Sequence, residues 1–194
     1  MHQLQKKRLK NRYNRSSQIS SNQNYSINPK QTQIPPDCQN TQNLQFLPEY
    51  DASLDSLPVS EAVTEYTNRL RDNMNIPRLK TDPKLTYIAS FKASEMAREQ
   101  YYAHTNPITH ETAFDLAKRL GYSSNCGMAE NIHYTPSTAY QVFLDWFCSP
   151  GHFRNMTNPT YTVTGVGFAQ GTAYETAPNG FIFPNNKWSV YFGC

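Results

Sequence analysis

Residues 163–170 constrain the fold of this chain more than any other stretch. Val163, Gly165, Gly167 and Ala169 alternate with Thr164, Val166, Phe168 and Gln170. That two-residue period is the signature of a strand. One of its faces is almost bare, and glycine within a strand marks a place where another layer comes close to the backbone. A second alternating run, Trp188–Phe192, follows Tyr174–Asn186, which is read as a loop or hairpin tip, and the connection Gly171–Asn186 is too short to hold a crossover helix. The two strands are therefore expected to pair antiparallel.

Upstream the period changes to that of helices. Ser60 reads as a cap for a helix carrying Val63, Tyr66, Leu70 and Met74, ended by Ile76-Pro77. Asp82 and Pro83 open the strongest helix, in which Leu85, Ile88, Ala89, Lys92, Ala93, Met96, Ala97 and Gln100 share one face. It is expected to run to about Tyr102, which puts His104 at or just past its end. Thr109 is the expected cap of a third helix, closed by Gly121. Glu130–Tyr134 reads as a strand, so Glu130 and His133 face opposite ways. A fourth helix follows Thr135-Pro136 and buries Ala139, Val142, Phe143 and Trp146. Helices first, then strand, helix and two strands predict an α+β domain with a mainly antiparallel sheet covered by helices.

Charge and composition set the first 43 residues apart. Residues 1–36 hold seven Lys and Arg and no acid, which leaves 11 Lys and Arg against 15 Asp and Glu in the remainder. The basic balance belongs to the tail, and nucleic-acid binding by the folded part is not expected. Residues 1–43 contain 8 Gln and 7 Asn with few large apolar groups. Such a segment buries too little surface to offset its chain entropy, so it is read as a disordered tail whose removal costs the domain little. Residues 44–57 read as a linker and 58–194 as the domain. No run suits a transmembrane helix and no secretory signal is visible. Cys38, Cys126, Cys148 and Cys194 form no Cys-x-x-Cys pair, and their even number favours disulfides in an oxidising compartment.

The chemistry-bearing stretch is Ser149-Pro150-Gly151-His152-Phe153-Arg154-Asn155. Ser149 suits an N-cap and Pro150 a first helical position, so a short helix is expected to fix one imidazole, His152. Together with Asn68-Arg69-Leu70-Arg71, His104-Thr105-Asn106-Pro107, Ala129-Glu130-Asn131-Ile132, Trp146, Asn158-Pro159 and Gly165-Val166-Gly167, in chain order, the stretch resembles the CAP or SCP domain family. That is the family of cysteine-rich secretory proteins, antigen 5 and pathogenesis-related 1 proteins. The resemblance is to its bacterial-type branch and covers roughly residues 58–194.

The resemblance implies a three-layer α-β-α sandwich, an extracellular or cell-surface location, and a cleft where His104, Glu130 and His152 meet, with Ser149 and Asn131 beside them. Many eukaryotic members have a second glutamate three residues after the tryptophan. Ser149 stands there in this chain, and Asp145, the nearest acid, is not expected to join it. Two neutral imidazoles, His104 and His152, suit a weak and exchangeable Zn²⁺ or similar cation, with Glu130 orienting one of them or holding a bound water. A purely hydrogen-bonded, structural cluster of the same three residues is an equal reading. Family members have been linked to lipid and sterol binding, to signalling from outside the cell and to proteolysis, and no single activity follows from the fold. The reading is a binding module for a lipid, sterol or protein ligand. A metal-assisted hydrolase using Glu130 as general base is the alternative. Convergence of Glu130 and His152 would also bring Cys126 to Cys148, so a Cys126–Cys148 bridge is expected, with Cys38 and Cys194 as the second pair.

Overall fold

A Cβ at Gly165 would lie 2.1 Å from the backbone nitrogen of Thr86, and one at Gly167 would lie 2.2 Å from the carbonyl carbon of Ala89. Helix backbone thus rests directly on strand backbone, which is the use the bare strand face has. The computed structural model that shows this describes residues 34–134, 137–171, 174–176, 182–184 and 186–194. Ile34–Cys194 forms one compact unit.

Strands β1 (Lys80–Thr81), β2 (Ala129–Tyr134), β3 (Val163–Ala169) and β6 (Lys187–Gly193) make one sheet in the order β1-β3-β6-β2. β3–β6 and β6–β2 are antiparallel, as the short connection requires, while β1–β3 is parallel. The sheet is therefore mixed but mainly antiparallel, and β2 is an edge. Within the loop expected before the last strand, β4 (Tyr174–Thr176) and β5 (Ile182–Pro184) form a separate antiparallel pair. The α-helices among the described residues are α1 (Val59–Asn73), α2 (Pro83–Arg98), α3 (Ala113–Arg119), α4 (Ala139–Cys148) and α5 (Pro150–Thr157).

Register sorts the side chains into two cores. Glu130 lies opposite Tyr191, and Tyr191 opposite Gly165; Ile132, Ser189 and Gly167 align in the same way. These residues face α2 and α3, where Leu85, Ile88, Ala89, Leu116 and Tyr191 pack together and Met96, Tyr101 and Ile132 form a smaller cluster. Val166, Trp188, Val190 and Phe192 face the other way, onto α1, α4 and α5. The result is the expected three-layer α-β-α sandwich.

Local signals hold at some helix ends and shift at others. Asp82 caps α2 by accepting from Leu85 N, with Pro83 at the start. α2 stops at Arg98, earlier than its apolar pattern suggests, because Gln100 adopts a left-handed φ of 56°. α1 begins after Pro58, so Ser60 lies inside it and not at its cap. The cap of α3 is Thr112 rather than Thr109, since Asp115 lies at the third position and completes a reciprocal capping box. Arg71, fully buried on α1, donates to the carbonyls of Pro77, Met156, Asn158 and Tyr161. That one guanidinium ties α1 to the end of α5 and to the entry of β3.

The amino-terminal segment departs from expectation. Cys38 bonds Cys148, with 4.5 Å between their Cα atoms, and Cys126 bonds Cys194, at 6.0 Å. The expected Cys126–Cys148 bridge and its Cys38–Cys194 counterpart are both wrong. The antiparallel β2–β6 ladder explains why: Ala129 pairs with Phe192, so Cys126 enters the ladder at the end where Cys194 leaves it. Cys148 ends α4, where its own carbonyl accepts from Gln39 N and that of Phe147 accepts from Asn40 Nδ2. These are orphan acceptors of a helix terminus, satisfied here by a distant segment. Asn40 is only 1% exposed, a short 3₁₀ helix spans Thr41–Phe46, and Leu44, Phe46 and Leu47 pack on the core. Over residues 34–57 the expected disordered tail and linker are thus replaced by a strap that belongs to the domain. Residues 1–33 of the expected tail lie outside the described residues.

Two stability measurements test the strap and the helix–strand contact. Cys38→Ser opens a loop with a sequence separation of 110 and should cost on the order of 4 kcal/mol in urea denaturation under oxidising conditions. Gly167→Ala should cost on the order of 3 kcal/mol, because the helix backbone above the strand leaves no room for a methyl group to be absorbed.

Candidate functional site

The site forms where the sheet ends. β2 is an edge strand, and its outward carbonyls would invite another strand if left open. Side chains occupy them instead: Ile132 O accepts from Tyr102 OH and Trp146 Nε1, both at 3.0 Å, and Glu130 O accepts from Asn155 Nδ2 at 3.4 Å. The segment after α2 therefore closes on this edge from one side, and α4 and α5 close on it from the other. His104 arrives with the first and His152 with the second.

Glu130 faces α2, as strand alternation requires, and its side chain is 2% exposed. Both of its oxygens are engaged: Oε1 accepts from Ser189 Oγ at 3.1 Å, and Oε2 lies 2.7 Å from His104 Nδ1. A carboxylate accepts and does not donate, so the His104 proton sits on Nδ1. In the neutral ring Nε2 then carries the lone pair, on a side chain that is 56% exposed. A buried carboxylate aiming an exposed imidazole is the arrangement that orients histidine ligands at metal sites.

His152 is the third residue of α5. Its carbonyl accepts from Asn131 Nδ2 at 3.2 Å, and Asn131 Oδ1 accepts from Asn155 Nδ2 at 2.8 Å. Its ring meets Trp146 edge to face, with 6.5 Å between centroids. Burial first, and then the charges of His104 and His133, push its pKa down to about 4. The ring thus stays neutral, with a lone pair to offer, through the mildly acidic range.

The expected cleft residues divide. His104 and Glu130 are in contact, and the charge of His104 is felt at His152 as a cause secondary to burial. Asn131 lies on the opposite face of β2 from Glu130 and holds α5 in place. Ser149 occupies the N-cap position of α5, but its hydroxyl makes no capping bond. It borders a surface pocket with Pro35, Asp37, Gln39, Asp145 and Cys148. Asp145 and Ser149, four residues apart, both border this pocket, and His104, Glu130 and His152 are not among its lining residues. Among the described residues, no group of three or more His, Cys, Asp or Glu converges on a point.

Three partners escape sequence reasoning. Ser189 can be placed against Glu130 only through the β2–β6 register, which pairs Ile132 with Ser189. His133 is held at 2.7 Å by Asp145, which also accepts from Gln141. The spacing of Gln141 and Asp145 is the available signal for that face of α4. Lys92, on the apolar stripe of α2, bonds the carbonyl of His104 at 3.1 Å.

The low His152 pKa has a measurable consequence. The unfolded chain takes up a proton near the ordinary value of 6.5, while the folded ring resists until about 4. The stability held by the neutral ring is complete above 6.5 and is lost as the pH falls through that window. His152→Phe keeps the edge-to-face contact with Trp146 and has nothing to protonate. Its loss of urea stability between pH 7 and pH 4 should be smaller than that of the unmodified chain.

Comparisons with known proteins agree with this fold. The sequence model of the CAP family, described as the cysteine-rich secretory protein family, matches residues 64–192. The uncharacterised protein YkwD of Bacillus subtilis (strain 168) is 32% identical over 114 residues, 59% of this chain and 44% of YkwD. The chain thus spans less than half the length of that relative. An extracellular SCP-domain protein of Bacillus anthracis superposes with a TM-score of 0.57 at 22% identity, covering 75% of this chain and 44% of the other. An outer surface protein of Borrelia burgdorferi superposes with a TM-score of 0.55 at 18% identity, over 74% of this chain and 95% of the other. At these identities the structural likenesses speak for the fold alone.

Proposed function

This chain belongs to the CAP family, and on that premise we propose that it is an extracellular or surface binding module whose His104–Glu130–His152 cleft takes a divalent cation weakly. The observation that supports the reading is the bond from His104 Nδ1 to the buried Glu130, which leaves Nε2 as an exposed donor of its lone pair. His152 supplies a second neutral imidazole. Two imidazoles with open remaining positions suit Zn²⁺ held loosely, with the other positions left to water or to a ligand. Bound there, the cation would supply Lewis acidity and a coordination point for an anionic or carbonyl group. In this reading the residues of the chain orient and hold.

The location rests on the company the fold keeps and on redox chemistry. Two solved neighbours are described as an extracellular protein and an outer surface protein. Two disulfides suit an oxidising compartment. No helix among the described residues is long and apolar enough to cross a membrane.

Glu130 as a general base has less support. Both of its oxygens are engaged and its side chain is almost entirely buried. A base must reach the proton it abstracts, directly or through one water.

Isothermal titration with Zn²⁺ at neutral pH tests the proposal. Binding with a Kd in the micromolar range or weaker is expected, abolished by the His104→Ala, His152→Ala pair. Glu130→Gln should weaken it about tenfold, the lower end of the loss seen when an outer partner of a ligand is removed. Unchanged affinity in the double alanine variant would place the ion elsewhere.

A further inference from the structure

Lys92 is the least expected residue in the core. It sits on the inner stripe of α2, between Ala89 and Met96, and is 1% exposed. An ammonium taken out of water is costly unless paired and hydrogen-bonded. Its partners account for it. Nζ donates to Tyr101 OH at 2.9 Å and to the carbonyl of His104 at 3.1 Å, and it lies 4.9 Å from the Tyr101 ring centre. Tyr101 OH in turn donates to Glu95 Oε2 at 2.5 Å. Glu95 is buried one turn along the same helix. The ammonium therefore reaches the Glu95 carboxylate through a phenol, uses a further donor on the backbone of His104, and also feels the charge of Glu130.

The arrangement is not what stability alone would select. A buried ion pair is often matched or bettered by well-packed apolar residues of similar size. Met, Leu or Ile at position 92 would continue the stripe set by Leu85, Ile88 and Met96. What such residues lack is a donor pointed at His104 O. His104 itself is exposed and lies in a loop, outside any helix or strand. Two contacts fix its place: the imidazole bond to Glu130 and the backbone bond to Lys92. One sets the ring's direction and the other sets where the ring is hung.

We infer that Lys92 is the positioning residue of this cleft, acting with Tyr101 and Glu95 to hold the His104 backbone so that its imidazole meets Glu130. The inference rests on the reading of the cleft as a cation-binding site, and its test separates the two. Lys92→Met removes the donor but strands Glu95, so the variant to make is Lys92→Met with Glu95→Gln, which removes both charges together. The main readout is the His104 Cε1–Hε1 cross-peak in a ¹H–¹³C spectrum, compared with that of Glu130→Gln, in which the imidazole has lost its carboxylate.

In the folded double variant the His104 peak moves towards its position in Glu130→Gln, and Zn²⁺ affinity falls about tenfold, as when an outer partner of a ligand is lost. The melting temperature does not track either change. A peak that stays at its unmodified position overturns the inference, whatever the metal does. If the unmodified chain binds no Zn²⁺, the cation reading of the cleft fails, and the peak alone decides the role of Lys92. Tyr101→Phe keeps the ring and removes only the relay hydroxyl. It should move the same peak in the same direction, and it gives the decision should the double substitution fail to fold.

Discussion

The contact between α2 and β3 is the constraint from which the site follows. Gly165 and Gly167 let the helix lie on the strand at a separation that no side chain permits. Packing this close leaves α2 little freedom to slide or roll. Its inner stripe is thereby placed over the face of the sheet that carries Tyr191, Ser189 and Glu130. Lys92 and Glu95 are buried beneath the segment that carries His104, and the chain leaving α2 turns at Gln100 to bring Tyr101, Tyr102 and His104 to the β2 edge.

The edge strand gives the site its second property. A sheet edge offers unpaired carbonyls, and here Tyr102, Trp146 and Asn155 take them up. Blocking the edge in this way protects it from pairing with another chain. It also draws two separate segments to one place, one bearing His104 and the other His152. Closing the sheet thus makes polar groups from both outer layers meet around β2. Such a site orients its polar groups firmly.

Much of this is legible in the sequence. Alternation in residues 163–170 and 188–192 announces two buried antiparallel strands, and Asp82-Pro83 announces the start of α2. The motifs around His104, Glu130 and His152 single out those three residues. The rest is hidden for physical reasons. Disulfide partners depend on which strand ends adjoin, and the β2–β6 register that joins Cys126 to Cys194 cannot be read from spacing. The strap over α4 is polar and aperiodic, so its composition reads as unstructured, yet Asn40 and Gln39 are there to satisfy helix carbonyls. Ser149 has the residue type of a cap but not its bond. Lys92 stands visibly on an apolar stripe, and only the folded chain shows that its donor is used on His104.

Through its bond to Nδ1, Glu130 sets the tautomer and direction of the His104 ring. A long-range ¹H–¹⁵N spectrum of the histidine side chains at neutral pH tests it most directly. The expected spectrum shows the His104 proton on Nδ1, with Nε2 unprotonated, and Glu130→Gln changes this pattern. A His104 ring protonated on Nε2 alone, unaffected by that substitution, would contradict it.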